Sequence, residues 1–360
     1  MKRFAALLFA LVLVLSLGAC SGEKAPAVPS SPADPTVPET SSSPVEPTPA
    51  PEPASPAAPE GTGKTLRVAA LKGPTAMGMV KLMKDARAGE TANDYQFTLA
   101  GSPDEIVGSI IKGDFDLAAV PTNLAATLYN KTNGRVELLA LNTLGVLYLV
   151  ETGETIQSVA DLEGKTIYAT GKGSTPEYAL NYILAQNGLE GKVSVEYKSE
   201  HGELAALLAQ GQAEIALLPQ PFVTTALSQN DQLRVALDLT AEWDKAARGQ
   251  SQLTMGCVIA QRSFVEENAA AVAAFLAEYE ASVAFVTDAG HLDEAAALVV
   301  EEGILPKEAV AKAALPQCGI TFVAGEEMKK TASGFLQVLY DADPSAVGGA
   351  LPDDGLYYLG

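Results

Sequence analysis

Polar residues able to hold a small solute recur at one kind of place in this sequence: short Gly/Pro/Ser/Thr stretches between a predicted strand end and a predicted helix start. They are Lys72-Gly73-Pro74-Thr75, Gly101-Ser102-Pro103, Pro121-Thr122-Asn123, Gly173-Ser174-Thr175-Pro176 and Pro219-Gln220-Pro221. A helix start offers N–H groups without an intrahelical acceptor and the positive end of the helix dipole, a combination suited to a carboxylate, sulfonate or other polar acceptor. Any one of these loops is also an ordinary helix cap. In an open α/β sheet, however, all five fall at the carboxyl edge of the strands, where ligands bind.

Covalent and metal chemistry find little support. Gly63-Lys64-Thr65 and Gly164-Lys165-Thr166 imitate the end of a phosphate loop, but the required first glycine is Ala58 in one and Val159 in the other, and each precedes a strand instead of following it. No Gly-x-Ser-x-Gly, His-Glu-x-x-His or Cys-x-x-Cys occurs, and the two histidines, His201 and His291, lack the spacing of metal ligands. No metal or cofactor is expected. With a formal net charge of −20, the chain is not built to meet nucleic acid.

The elements that must position these loops are written twice. The segment Glu105 to Pro121 is echoed by Glu203 to Pro219, with the glycines Gly113 and Gly211, the acids Asp116 and Glu214 and the terminal prolines at identical spacing. Each copy reads as an amphipathic helix stopped by glycine, an acidic residue, a short apolar strand and a proline at the strand's end. Around them, strands at 65–71, 95–99, 136–141, 165–170, 193–197 and 233–237 alternate with helical patterns, which predicts parallel sheets. The apolar runs at 145–150 and 253–260 are placed to carry the chain from one β-α series to the other and back. Four helices rich in Ala and Glu, at 264–289, 292–302, 306–314 and 325–340, are expected to coat the first lobe.

The amino terminus belongs to export. Lys2 and Arg3 precede an apolar run from Phe4 to Leu17, followed by Leu17-Gly18-Ala19-Cys20. That is the layout of a secretory signal, too short to span a bilayer, and the last four residues resemble the lipobox of bacterial lipoproteins, in which Cys20 carries the lipid. From Ser21 to Lys64 the chain holds twelve of its 22 prolines and no aromatic residue. Such a stretch cannot bury enough apolar surface to fold, and reads as an extended tether reaching up to ~120 Å at about 3.1 Å per residue. The two remaining cysteines, Cys257 and Cys318, would lie in an oxidising compartment, where a disulfide between them is an open alternative to two free thiols.

The lipobox, Leu71-Lys-Gly-Pro-Thr75, Asp161-Leu-Glu-Gly-Lys165, the Gly-Ser-Thr loop at 173–175 and the strand Glu214-Ile-Ala-Leu-Leu-Pro219 together resemble the solute-binding lipoproteins of ABC importers. Within these, they are most similar to the nitrate/sulfonate/taurine type, which includes binders of the thiamine pyrimidine precursor. The resemblance covers residues 65 to 340. It implies an α/β, two-lobe type II periplasmic-binding-protein fold, each lobe a mostly parallel sheet flanked by helices, with a two-strand hinge. It also implies a small polar organic solute held between the lobes and handed to an ABC permease driven by a separate ATPase.

Carried onto this chain, the resemblance and the loops give these expectations. Residues 1–20 form the signal, 21–64 the tether, 65–147 with 256–360 lobe one, and 148–255 lobe two. The protein is expected to be a monomer, lipid-anchored outside the cytoplasm, and not an enzyme. The expected ligand contacts are Lys72, Thr75, Met77, Ser102, Thr122, Asn123, Ser174, Thr175 and Gln220, with Thr122-Asn123 facing Gln220 across the solute. Tyr178 and Phe222 are candidates to stack on a ring. Only Lys72 and Lys172 lie near the loops, which argues against a strongly anionic ligand. The alternatives are a lyase or precursor-synthesising enzyme on the same scaffold, with Asp104 or Glu177 as its acid or base, and a ligand-sensing receptor.

Overall fold

A computed structural model describes residues 61–360; the signal, Cys20 and nearly all of the expected tether lie outside the described residues. Residues 61–64, assigned by composition to the tether, instead lie against the fold. Thr62 donates its N–H to the Ala92 carbonyl at 2.7 Å and its hydroxyl to Asn93 Oδ1 at 2.5 Å.

Among the described residues, eleven strands build two sheets. The first contains β1 (Thr65–Leu71), β2 (Asp94–Ala100), β3 (Leu117–Pro121), β4 (Val136–Leu144), β10 (Thr254–Gln261) and β11 (Ile320–Ala324), in the order β11-β4-β10-β3-β1-β2. The second contains β5 (Leu147–Thr152), β6 (Thr166–Ala169), β7 (Ser194–Tyr197), β8 (Ile215–Pro219) and β9 (Leu233–Asp238), in the order β7-β6-β8-β5-β9. Both sheets are mixed. In the first, β1, β2, β3 and β4 run one way and β10 is inserted antiparallel between β3 and β4; in the second, β5 is inserted antiparallel between β8 and β9. The strand that arrives from the other sheet thus takes the same place in each. The chain crosses from β4 to β5 at Gly145, where an added Cβ would fall 2.0 Å from Thr240 Oγ1, so only glycine fits the close approach.

The helices are α1 (Pro74–Met77), α2 (Val80–Ala88), α3 (Asp104–Lys112), α4 (Thr122–Lys131), α5 (Thr175–Gln186), α6 (His201–Ala209), α7 (Phe222–Leu227), α8 (Leu239–Ala247), α9 (Arg262–Glu267), α10 (Ala269–Thr287), α11 (Leu292–Glu301), α12 (Glu308–Ala314) and α13 (Gly325–Ala342). The doubled segment folds alike in both copies. After α3, Gly113 (φ 82°) turns the chain left-handed and Asp114 N–H reaches back to the Ser109 carbonyl at 2.9 Å; after α6, Gly211 (φ 71°) and the Gln212 N–H to Leu207 carbonyl bond at 2.9 Å repeat the cap.

Three apolar layers hold the sheets. Leu66, Val68 and Val258 on one face of the first sheet pack under α10, α11 and α12 with Phe275 and Tyr279. The opposite face, with Val120, Leu138 and Ile259, shares one continuous core with Leu149, Ile167 and Leu217 of the second sheet. Helix α13 belongs to this shared core, its Phe335 ring 5.4 Å from that of Trp243 on α8. It lies on the first sheet as expected, against β4, β10 and β11, and in addition reaches α5 and α8 beside the second sheet. Val150, Leu218 and Val223 form the outer layer of the second sheet. Strand β11, short and set between helices, was not among the predicted strands.

The cysteine alternative resolves to free thiols: Cys257 and Cys318 are both buried and unpaired. The disulfide fails because Cys257 points into the core shared by the two sheets, whereas Cys318 belongs to the layer under α10 to α12 on the other face. Burial pushes both thiols up, Cys318 to about 12.

Candidate functional site

A cavity of about 110 Å³ lies between the two sheets and is lined by every one of the five loops. From the first sheet come Lys72 and Thr75 after β1, Gly101 and Pro103 after β2, Pro121 at the end of β3, and Thr143 near the end of β4. From the second come Ser174 and Thr175 after β6, His201 after β7, and Pro219 and Gln220 at the end of β8. Met255, at the start of β10, closes the wall. Strand carboxyl ends converge here because both sheets direct their main strands toward the gap, which puts every βα turn at one place.

Of the expected contacts, Lys72, Thr75, Ser174, Thr175 and Gln220 line the cavity. Lys72 is exposed at its edge. Met77 does not; it is fully buried beneath the first sheet with Val68 and Phe275. Ser102 is turned to its own helix, giving its N–H and hydroxyl to Glu105 Oε1 at 2.9 and 3.2 Å, so that only its neighbours Gly101 and Pro103 face the gap. Thr122 is fully buried off the cavity, its hydroxyl without a partner among the described residues. Asn123 is likewise behind the wall, where Nδ2 donates to the Ala346 carbonyl at 3.1 Å.

The expected juxtaposition of Asn123 and Gln220 is replaced by two other cross-sheet pairs. Thr175, at the start of α5, donates to Asn123 Oδ1 at 3.2 Å. Gln220 Nε2 donates to Gln317 Oε1 at 3.1 Å, while its Oε1 accepts from the Thr224 hydroxyl at 2.8 Å and the Thr224 N–H at 3.2 Å. Each pair joins a group carried by the second sheet to one carried by the first. The Gln220–Pro221 peptide is cis.

His201 was not among the expected contacts. It opens α6, two residues before Glu203, just as Pro103 stands two residues before Glu105, and both positions line the cavity. The repeat therefore held the signal. The ring's Nδ1 is 2.5 Å from Thr170 Oγ1 and its centroid 5.0 Å from that of Phe222, which also lines the cavity. Burial drives the imidazole down to about 4, so it is neutral at pH 7. Tyr178 lies elsewhere, in a groove with Tyr182 and Leu339. Lys172 is drawn away, its Nζ 5.8 Å from the Tyr197 ring centre. Neither Asp104 nor Glu177 lines the cavity; Glu177 Oε2 accepts the Gly173 N–H at 2.5 Å. Among the described residues, no cluster of three or more His, Cys, Asp and Glu side chains is placed to hold a metal ion.

Comparisons with known proteins agree with this architecture. A crystal structure of an ABC transporter from Parabacteroides distasonis is 25% identical, with a TM-score of 0.67, covering 82% of this chain and 99% of the other. The aliphatic sulphonate binding protein SsuA from Escherichia coli is 20% identical, with a TM-score of 0.64 over 82% of this chain and 92% of its own. The nitrate-binding protein NrtA from Synechocystis PCC 6803 is 14% identical, with a TM-score of 0.53 over 75% and 76%. A search of curated proteins finds no match. Residues 88–299 match the family model described as ABC transporter, phosphonate, periplasmic substrate-binding protein, more than half of the chain, and the chain belongs to that family.

Proposed function

We propose that this protein is the lipid-anchored capture component of an ABC importer, taking a small organic solute into the cavity between its sheets and presenting the closed form to a membrane permease. The observation that supports this best is the cavity itself: loops from both sheets line it, and two hydrogen bonds, Thr175–Asn123 and Gln220–Gln317, join its two sides at the edge. A solute touching both walls stabilises the closed arrangement by its differential affinity for it. In this reading Lys72, Thr75, Ser174, Thr175, Gln220 and His201 contact the solute, and Cys20 carries the lipid.

The test is mass spectrometry of small molecules retained through purification, followed by thermal denaturation with the compound found. At a hundredfold excess over its dissociation constant, stabilisation is about 2.7 kcal/mol. A compound that raises the melting temperature of the Gln220→Ala and Thr175→Val variants as much as that of the parent would place binding elsewhere and count against this assignment.

A further inference from the structure

We infer that Asn142 and Tyr279 form a buried hydrogen-bond relay that frees the Thr143 hydroxyl proton for an acceptor atom of the solute, which makes both of them positioning residues of the cavity. This rests on capture in the cavity proposed above and concerns how one wall of that site reads its ligand.

Thr143 lines the cavity near the end of β4. In the pairing of β4 with β10, Thr143 stands opposite Gly256 and Leu141 opposite Cys257, so Asn142 is the extra residue of a β-bulge. Bulges beside functional sites re-aim side chains. Glycine at 256 leaves the room for it: a Cβ there would fall 2.6 Å from Asn142 Oδ1, 3.2 Å from Thr143 Oγ1 and 2.7 Å from Cγ2 of Thr75, a second lining residue. The Asn142 amide, fully buried, therefore sits directly behind the cavity wall.

Hydrogen bonding behind that wall is incomplete. Thr143 gives its proton to Asn142 Oδ1 at 3.2 Å. At the other end of the amide, Nδ2 faces the Tyr279 oxygen, yet neither atom has a hydrogen-bond partner among the described residues, and both residues are fully buried. Burial raises the phenol's pKa, so its oxygen keeps its proton. Two donors thus face each other, while the amide's one acceptor is used on Thr143. Phe275 and Phe322 pack against the Tyr279 ring with centroids at 5.6 and 5.9 Å, leaving it little freedom to turn its oxygen elsewhere.

A half-turn of the amide removes the conflict without moving the backbone, because the two ends of a carboxamide have nearly the same shape. Oδ1 then accepts from the Tyr279 hydroxyl, and Nδ2 donates to Thr143 Oγ1. Satisfied from behind, Thr143 keeps its single proton for the cavity. The solute that completes the chain presents a lone pair at this wall, on a carbonyl, hydroxyl or oxyanion oxygen. Each bond in such a chain polarises the next, so the phenol strengthens a contact it does not itself make.

The test begins with the direction of the amide, read by nuclear Overhauser contacts in the isotope-labelled full chain. The Asn142 side-chain N–H₂ protons are expected to lie against the Thr143 methyl and the Gly256 α-protons; contacts to the Tyr279 ring instead overturn the relay, whatever the solute. The role in capture is read by calorimetry with ethanesulfonate and methylphosphonate as probes. Thr143→Val is expected to weaken binding about tenfold, Tyr279→Phe about threefold, and the double variant no more than Thr143→Val alone. Thr143→Ser, which keeps the hydroxyl, should stay within about twofold of the parent. Losses that multiply in the double variant would show that Tyr279 acts by packing, overturning its positioning role and leaving capture standing. An amide oriented as expected in a protein that binds neither probe would support the relay and count against capture of these anions.

Discussion

Gln220 and Gln317 separate contact with the solute from closure around it. Gln220 lines the cavity, whereas Gln317, from the turn after α12, is outside the lining and accepts a hydrogen bond from Gln220. A neutral hydrogen bond of this kind contributes about 0.5–1.5 kcal/mol. Gln317→Ala is therefore expected to weaken solute affinity roughly threefold to tenfold, and Gln317→Ala combined with Gln220→Ala to cost less than the sum of the two, as read by calorimetry. Additive losses would show that the pair is not coupled. His201 supplies a second residue-scale prediction. No charged partner holds its imidazole at about 4; burial alone does so. Between pH 6.5 and 4 the unfolded chain takes up a proton that the folded chain refuses, so stability is full above pH 6.5, falls through that window, and levels off below it. Thermal melts of His201→Gln should flatten this dependence by on the order of 3 kcal/mol; an unchanged pH profile would remove the imidazole from the account. His201 was legible in the sequence only by way of the repeat. Its own neighbours offer no ligand-like spacing, and a lone histidine at a helix start carries no other mark.

At the scale of elements, the two copies of the helix, glycine and strand unit make a matched experiment. Gly113 and Gly211 both have positive φ, and a Cβ at either would meet nothing within 4 Å. Replacing each with alanine thus adds backbone cost without a clash, expected at about 1–2 kcal/mol and equal at the two sites. Denaturant unfolding of the two variants reads this directly; a difference above 1 kcal/mol would mean that the copies carry unequal strain. Gly145 is the opposite case. Its φ is ordinary, but its missing Cβ makes room for Thr240, so Gly145→Ala should destabilise by about 1–3 kcal/mol and Thr240→Gly should restore most of the loss. Pattern alone found the repeat and both crossings because hydrophobic run length and glycine placement are local signals. It did not find β11, whose Ile320-Thr-Phe-Val-Ala324 run pairs only with β4, or that α13, besides covering the first sheet, also meets α5 and α8. Both depend on which surface a segment meets, and an amphipathic period does not name its partner. The same limit applies to Met77 and Thr122: their loops do reach the cavity, but helical phase turns these two side chains into the core.

For the whole molecule, the proposed function assigns export and anchoring to one stretch of chain and capture to another, and this assignment can be tested. Among the described residues, the contacts of Thr62 with Ala92 and Asn93 pin the chain to the edge of the first sheet just before β1. A version beginning at Gly61 keeps those bonds along with both sheets. It is expected to melt within about 1 °C of the full chain and to bind solute equally, because both sheets and their helices lie within 61–360. Starting instead at Thr65 removes the Thr62 bonds and should lower stability by about 1–2 kcal/mol. Cys20→Ser in the exporting host is the complementary change. If the lipobox reading is right, the protein moves from the membrane to the soluble fraction, metabolic labelling with palmitate is lost, and affinity in vitro is untouched, while solute uptake by cells falls because the capture component is no longer held near the permease at high local concentration. Retention of the Cys20→Ser protein on membranes would show that something other than this cysteine anchors it. A loss of affinity would show that the tether is not the passive spacer its composition describes.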